Sequence, residues 1–492
     1  MKNIIKEFYK FIKNDEQKEK VFSIFYNGKS LESLTYKEIE KCVSYYRKII
    51  GTNNFSKRIG ICIENSNDFI IGFMGILLNG YTVVGIDPLI TKEGLEKIIK
   101  DNDLDCIFVN NKTDLSKFDN IKTIGTSIEL ENIDCKDDLK EISSNLNDII
   151  VISYTSGTSG KFSKGVMVSN SNISFVSEEY NKIYKISSNS KIITVLPLWH
   201  NYAMFACLTN AMMGNAQIII MDKWNLNNFL FINKKFKPDI FPGSPYMYID
   251  IINADLDKID ISTLRICDSG GDSLPIECIK KFEEKTNAVI TEGYGLTETV
   301  SLTHFNYSAK ERKIGSLGKC VTGAECKITD LEGNVIGKNK WGLLWIRGPM
   351  VFKGYVNNDE LTREVLKDGW FNTADIVRED DDGFFYIAGR FSDMKNYKEN
   401  EITLREIENT LYKFAGIRRT FIKKKYNKEA DFSSYDIYAI LKNNFDITQL
   451  LDYINKNLNN VVVDNVRIVE ELPITGTGKI KRNRLGGENG TL

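Results

Sequence analysis

The sequence predicts an α/β protein: a large N-terminal domain of stacked α/β subdomains plus a β subdomain, and a small α+β C-terminal domain. Three observations carry this. From about residue 148, apolar strand-like runs repeatedly end in clusters of small polar residues, with amphipathic stretches such as Pro275 to Thr286 between them. Residues 310 to 390 change to short strands joined by turns, among them Asp330-Leu-Glu-Gly333 and Asp380-Asp-Asp-Gly383. A helix over Leu404 to Phe414, further strands and a helix over Asp446 to Leu458 then form a body of about a hundred residues, an ordinary domain size.

The elements follow in order. Phe69 to Ile90 is the one stretch that resembles a membrane span. Asn79-Gly80 breaks it and Asp87-Pro88 closes it, which predicts a buried helix, a glycine turn and a buried strand. Asp148 to Tyr154 runs into a Gly/Thr/Ser loop, and Ile192 to Pro197 runs into Trp199-His200-Asn201-Tyr202. A third strand ends in Gly243-Ser244-Pro245, and Leu264 to Cys267 runs into Asp268-Ser-Gly270-Gly271-Asp272. Ala288 to Ile290 runs into Glu292-Gly293-Tyr294-Gly295-Leu-Thr297-Glu298. Ligands of open α/β sheets gather beyond the carboxyl ends of the strands, so these five clusters should converge on one crevice. The large domain is placed at 1–391, a hinge at 392–394 around Asp393, the small domain at 395–485 and a frayed tail at 486–492.

Composition bounds the function. Hydrophobic residues are 42% and charged residues 27%, values of a soluble globular chain. Lys+Arg total 65 against 66 Asp+Glu, so no field of one sign is available for nucleic acid. The nine cysteines are scattered without a Cys-x-x-Cys pair, and the two histidines are His200 and His304, so a zinc site is not expected. The odd cysteine count and an N-terminus without a long apolar stretch fit a cytoplasmic protein with no membrane partner.

Several clusters carry chemistry. Thr155-Ser156-Gly157-Thr158-Ser159-Gly160 joins glycines, which let backbone N–H groups approach an anion, to hydroxyl donors. It suits phosphate, lacks the NTPase P-loop spacing, and alone reads equally as a surface turn. Glu292 to Glu298 offers an aromatic face, a hydroxyl and a carboxylate, or simply a helix start. Asp375 and Arg390 flank an acidic turn and could be a surface ion pair. Lys479, at the end of Pro473-Ile-Thr-Gly-Thr-Gly478, is a cation on a flexible loop, or the first residue of a solvated basic tail with Lys481, Arg482 and Arg484.

In this order, and with Gly389-Arg390 and Asp393, these stretches resemble the core motifs of the adenylate-forming enzymes: acyl-CoA synthetases, aryl-acid ligases, luciferases and peptide-synthetase adenylation domains. The resemblance spans nearly the whole chain and includes Asn79 to Pro88. It implies ATP and Mg²⁺ as cofactors and a C-terminal domain that rotates about Asp393. Thr155, Ser156, Gly157, Thr158 and Ser159 would meet phosphate, with a one-residue insertion leaving Lys161 or Lys164 as the lysine partner. Gly271, Asp272, Glu292 and Gly293 would border the nucleotide, Tyr294 would stack on adenine, and Thr297 would meet the α-phosphate. Glu298 would hold Mg²⁺, and Asp375 and Arg390 would take the ribose hydroxyls beside Ile387. Thr-Ala-Asp375 replaces the usual Thr-Gly-Asp, read as a mild change. Lys479 would cover the charge that builds at the α-phosphate during adenylation.

The acid pocket implied by the resemblance is His200, Asn201, Tyr202, Ala206, Gly243, Ser244, Gly270 and Gly295, with His200 as a mobile wall. Amino-acid-activating domains carry an Asp after this point, and Ala203-Met-Phe-Ala-Cys-Leu208 has none, so an ammonium would be buried unpaired. His200-Asn-Tyr202 resembles aryl-acid ligases, whereas Ala206 departs from the serine expected for a dihydroxybenzoate. An aryl or acyl acid is left. The acceptor loop departs further: Glu399 stands where the family has the glycine that lines the pantetheine tunnel, a position glutamate resists. The expectation is transfer to the phosphopantetheine of a carrier protein in secondary metabolism. Free CoA is the alternative acceptor, and a non-catalytic nucleotide- or acid-binding relative is the third reading. A monomer or homodimer is expected.

Overall fold

The computed structural model describes residues 1–53, 55–119, 121–127, 133, 139, 141–155, 163–254, 259–308, 310–394, 402–427, 432–475 and 478, with the backbone alone at 393, 394 and 427. A nine-stranded sheet runs in the order Lys319–Cys320, His304–Phe305, Ile290–Tyr294, Ile266–Ser269, Ile240–Gly243, Lys191–Thr194, Gln217–Met221, Val21–Tyr26 and Leu31–Thr35. Its inner six strands are parallel and both ends are antiparallel. Ile218, Ile219 and Ile220 are all buried, as an unbroken apolar run requires when a parallel strand is covered on both faces.

A six-stranded sheet holds Lys122–Gly125, Cys106–Val109, Arg58–Ile61, Thr82–Gly85, Ile149–Tyr154 and Gly165–Ser169, parallel except for the last pair. The strand before the Gly/Thr/Ser loop therefore lies in a different sheet from the other four strands of the repeated pattern. The sheets meet at their polar ends. The Asn65 side-chain amide donates to the carbonyls of Val195, Leu196 and Met221, and its oxygen accepts from the Leu198 N–H at 2.8 Å. The stretch 69–90 forms the buried helix Asn67–Leu77, a turn at Gly80 with φ +86°, and the strand Thr82–Gly85. Among the described residues no helix is long and apolar enough to cross a membrane.

The β subdomain is a five-stranded antiparallel sheet of Glu325–Thr329, Gly342–Arg347, Leu366–Lys367, Trp370–Glu379 and Phe385–Arg390. It begins later than residue 310, because Lys319–Cys320 pairs with His304–Phe305 and completes the edge of the nine-stranded sheet. The C-terminal strands Ile417–Asn427, Phe432–Leu441 and Val463–Ile468 form a separate three-stranded sheet with the helices Leu404–Tyr412 and Ile447–Asn457. Both helices start in capping boxes, Thr403 with Glu406 and Asp446 with Gln449, so their first N–H groups are satisfied locally. Polar contacts seat this body on the larger one. Arg405 pairs with Glu292 at 3.2 Å, Arg419 pairs with Asp250 at 2.5 Å, and Asn409 accepts the Ile276 N–H at 2.9 Å.

Candidate active site

The two strands that carry Asp375 and Arg390 pair antiparallel, and these two residues stand directly opposite each other. Fifteen positions in sequence thus become one cross-strand neighbour pair, with Arg390 Nε 2.9 Å from Asp375 Oδ1. Asp375 is 2% exposed, whereas about half of the Arg390 side chain reaches solvent. The Tyr294 hydroxyl donates to Asp375 Oδ2, and Arg390 Nη1 donates to the Thr373 carbonyl at 3.0 Å. Burial, then the Asp375 charge, pushes the Tyr294 phenol well up, so it stays protonated and remains a donor. The residue between Thr373 and Asp375 has φ +57°, in the left-handed region. Ala374 in place of glycine is therefore a strained choice rather than a mild one.

Beyond Tyr294 the chain makes a tight excursion and returns, with the Thr303 N–H bonded to the Tyr294 carbonyl at 2.8 Å. Val300 at φ +52° and Ser301 at +70° turn it back, an uncommon conformation for a β-branched residue. Gly295 fits because a Cβ there would lie 2.2 Å from the Ser301 carbonyl carbon. The excursion presents Thr297 and Glu298. The Tyr355 hydroxyl donates to Glu298 Oε1 at 2.7 Å, and the Lys164 ammonium lies 5.0 Å from the Tyr355 ring centre. Lys164 and Glu298 thus share Tyr355 as a neighbour. Thr155 exchanges two hydrogen bonds with Lys164, its N–H donating to the Lys164 carbonyl at 3.0 Å and its Oγ1 accepting the Lys164 N–H at 3.1 Å. Ser156, Gly157, Thr158, Ser159 and Lys161 lie outside the described residues.

Three further nucleotide candidates sit less directly. Glu292 accepts from Arg405 and from the Gly315 N–H at 3.0 Å, which ties it to the C-terminal helix. Burial raises its carboxyl despite those partners. Gly293 lies against Phe305, and Asp272 is exposed and accepts the Ser273 N–H at 2.9 Å, next to Gly271 at φ +86°. Ile387 faces Val377 across the hairpin that bears the Asp375–Arg390 pair.

The residues expected to line the acid pocket are set into the fold differently. His200 is 9% exposed, with Trp199 edge-on to its ring at 6.0 Å and the Tyr202 N–H donating to Nδ1 at 3.3 Å. Asn201 is buried, and Ala206 and Cys207 are fully buried within the π-helical segment Ala203–Thr209. That wide turn is a helical form common at functional sites. Tyr202 does not leave its hydroxyl for a ligand: it donates to Asp268 Oδ2 at 2.9 Å. Gly270 makes room for the ring, since a Cβ there would lie 2.9 Å from it. Tyr184 donates to the same Oδ2, and Tyr248 donates to the Asp268 carbonyl at 3.0 Å. Asp268 is 1% exposed, and burial lifts its carboxyl to about 6 against the two stabilising tyrosines. Among the described residues no partner is found for Asp268 Oδ1 or for the buried hydroxyls of Ser244 and Ser269.

Lys479 lies outside the described residues, and so do Glu399 and its neighbours 395–401. Gly478 is described. At φ +81° it is pressed against the Gly243–Ser244 turn, where a Cβ would lie 2.0 Å from the Tyr246 ring and 3.0 Å from Ser244 Oγ. No side chain fits at this position, so the glycine before Lys479 is required by close approach as well as by backbone conformation. Asp393 lies in the short helix Phe391–Met394 that follows Arg390.

Sequence reasoning missed Asp268 as a buried centre, Tyr355 as the partner of Glu298, and one cluster of soft donors. Asp268 was visible as the acid ending a strand, but its tyrosines come from distant segments. Cysteine spacing gave no sign of this cluster: His304, Cys320 and Cys326 bring their ligand atoms within 4.8 Å of one another.

The site therefore joins a hydroxyl–carboxylate–guanidinium row, a carboxylate held through one oxygen by Tyr355, a lysine against the same tyrosine ring, and an apolar wall. A family model described as AMP-binding enzyme matches residues 11–356. A long-chain-fatty-acid–CoA ligase of Bacillus subtilis (strain 168) is 28% identical over 519 residues, covering 92% of this chain and 90% of that protein. A 4-coumarate-CoA ligase of Narcissus pseudonarcissus is 28% identical, covering 93% and 89%. Among solved structures, an anthranilate CoA ligase in complex with anthranoyl-AMP superposes with a TM-score of 0.87 at 21% identity, covering 98% and 96%. A benzoate CoA ligase from Burkholderia xenovorans LB400 superposes with 0.85 at 21% identity, covering 99% and 100%. The two solved structures agree with this chain in fold.

Proposed function

The chain belongs to the family of AMP-binding enzymes, and on that premise we propose that it is an AMP-forming acid:thiol ligase. In the first step the acid carboxylate attacks the α-phosphorus of ATP. A carboxyl O–P bond forms, pyrophosphate leaves, and an acyl-adenylate remains. In the second step a thiol attacks the acyl carbon, a thioester forms, and AMP leaves.

One observation carries the reading: Tyr294, Asp375 and Arg390 lie in contact, Tyr355 holds Glu298 just beyond Tyr294 in the chain, and Gly478, the residue before Lys479, packs against Ser244 and Tyr246. Asp375 presents a buried carboxylate for ribose hydroxyls, held in place by Arg390 and Tyr294. Tyr355 fixes one oxygen of Glu298, and among the described residues the other has no partner, which suits Mg²⁺ bound through one carboxylate and substrate phosphates. Magnesium bound there would neutralise charge on the phosphates. Lys164 and Lys479 supply the cations that this chain itself contributes against the phosphates, and a dry, closed site strengthens both.

The acid is read as an aryl or acyl acid without an ammonium. Ala203–Leu208 is apolar and carries no carboxylate, and the buried Asp268 has Oδ2 taken by Tyr184 and Tyr202, with only Oδ1 unpartnered among the described residues. Free CoA is the thiol the named relatives use, and it is the first acceptor proposed here. Carrier-protein phosphopantetheine is the second, and Glu399 in the acceptor loop is the observation that favours it.

Exchange of labelled pyrophosphate into ATP across a panel of aryl, alkyl and amino acids tests the first step. Exchange with an aryl or alkyl acid and none with amino acids is expected. Silence with every acid while ATP still binds would leave the non-catalytic reading. Offering CoA and a phosphopantetheinylated carrier side by side to the preferred adenylate then decides the acceptor.

A further inference from the structure

Beside Tyr294, the cross-strand partner of His304, three strands bring soft donors together. His304, Cys320 and Cys326 come from His304–Phe305, Lys319–Cys320 and Glu325–Thr329, and their ligand atoms all lie within 4.8 Å of one another. The sulfurs of Cys320 and Cys326 approach to 2.7 Å, and His304 Nε2 lies 3.5 Å from the Cys326 sulfur. None of these groups takes part in the proposed adenylation.

The orientation of the imidazole separates a metal site from chance packing. Thr303 Oγ1 lies 3.1 Å from the Tyr294 carbonyl, which can only accept, so the single hydroxyl hydrogen is committed there. The same oxygen lies 3.0 Å from His304 Nδ1, and it must accept from that nitrogen. The proton is thereby fixed on Nδ1, and the lone pair of Nε2 faces the two sulfurs. Histidines that bind metals are held in this way, with the second ring N–H given to an oxygen behind them. The ring is further held by Tyr294 at 5.6 Å and Phe385 at 4.4 Å between centres.

We propose that His304, Cys320 and Cys326 form a binding site for a thiophilic divalent cation of the zinc type, with a fourth position open to water. Two thiolates and one imidazole are zinc donors, at Zn–S about 2.3 Å and Zn–N about 2.0–2.1 Å. Tetrahedral geometry at those lengths sets the sulfurs about 3.8 Å apart, so binding opens their present 2.7 Å contact by roughly 1 Å. Both cysteines are partly exposed, which gives the cation a path and the side chains room. The step is redox-neutral: two S–H bonds break, two S–Zn bonds form, and two protons leave to the buffer.

The site would be a cross-sheet staple. His304 and Cys320 are paired residues at the edge of the nine-stranded sheet, and Cys326 belongs to the first strand of the five-stranded sheet. The bound cation would tie the sheet bearing Tyr294 to the sheet bearing Asp375. The inference does not depend on the proposed activity.

The full chain, reduced and stripped of metal, is titrated with zinc against a chromophoric chelator, and with cadmium to read the thiolate-to-metal absorption band. One ion per chain is expected. Cys320→Ser with Cys326→Ser should abolish binding, and circular dichroism would establish that this variant is folded. Thr303→Val keeps all three donors and removes only the oxygen behind Nδ1, so it should weaken zinc about 10- to 100-fold. Zinc uptake equal in wild type and the double serine variant overturns the proposal. So does a reduced protein that takes up no metal and reoxidises to a Cys320–Cys326 disulfide.

Discussion

The two faces of the crevice are built on different principles. On the nucleotide face, charged groups are presented by short local motifs: one hairpin sets Asp375 against Arg390, and one strained excursion carries Glu298. The acid face is apolar, runs through a π-helical turn, and rests on Asp268, whose carboxyl accepts from Tyr184 and Tyr202 and whose backbone carbonyl accepts from Tyr248. Triphosphate chemistry is the same for every acid, so its machinery can be encoded in contiguous residues. Selection among acids depends on wall shape, which long-range packing sets.

The comparison breaks most readily at Lys479. Lys479→Ala should lower pyrophosphate exchange by roughly 10²–10³, about 2.7–4 kcal/mol, if the lysine stabilises charge in the transition state. Normal exchange in that variant would remove the C-terminal loop from the chemistry.

The next largest effect belongs to the acid face. Asp268 has a folded value of about 6 against an ordinary 3.8, so the folded state holds its proton more tightly than the unfolded chain. The resulting stabilisation is full below pH 3.8, is lost as pH rises through about 6, and is absent above. About two units of difference set an upper limit near 3 kcal/mol. Asp268→Asn retains an oxygen for both tyrosine hydroxyls and cannot titrate. Unfolding of the two proteins between pH 4.5 and 7.5 should show wild type losing stability relative to the variant as pH rises. A constant difference across that range would mean that Asp268 titrates as an ordinary carboxyl.

Tyr355→Phe tests the nucleotide face more gently. It removes one hydrogen bond to a carboxylate while preserving the ring under Lys164, a loss of about 1 kcal/mol or roughly fivefold. The Mg²⁺ concentration for half-maximal exchange should rise by that factor, with the KM for the acid unchanged. A change in acid KM alone would assign Glu298 to the wrong face.

These faces were unequally legible in the sequence. The helix read as Pro275 to Thr286 is Ile276–Thr286, and that read as Leu404 to Phe414 is Leu404–Tyr412, because apolar periodicity and end signals are local. The strand read as Ala288 to Ile290 is Ile290–Tyr294. Gly293 and Tyr294 read as part of the polar cluster after the strand, yet they pair with Phe305 and His304 beyond the excursion. Asp268 read as one polar residue among several, since nothing beside it announces Tyr184 or Tyr202. Tyr355 stands outside the residues singled out in the sequence and reaches Glu298 from 57 positions away. The soft-donor cluster escaped for the same reason: its spacing is set by strand order across two sheets rather than by a short repeat.

The smallest expected effect concerns Ala374. An L-residue in the left-handed region costs roughly 1–2 kcal/mol, and glycine there avoids the clash while losing about 0.5–1 kcal/mol through a freer unfolded chain. Ala374→Gly should therefore stabilise the protein by about 1 kcal/mol or less. The turn itself is pinned by side chains on either side. Asn372 accepts the Ala374 N–H at 2.9 Å, and Thr373 accepts the Asp375 N–H at 3.1 Å while donating to the Leu344 carbonyl at 2.9 Å. With those bonds intact, Asp375 should keep its place opposite Arg390, and the KM for ATP should not move. A rise in that KM would mean that the alanine stiffens the turn to aim Asp375. The nucleotide face would then carry a chain-specific adjustment, and its contrast with the acid face would narrow.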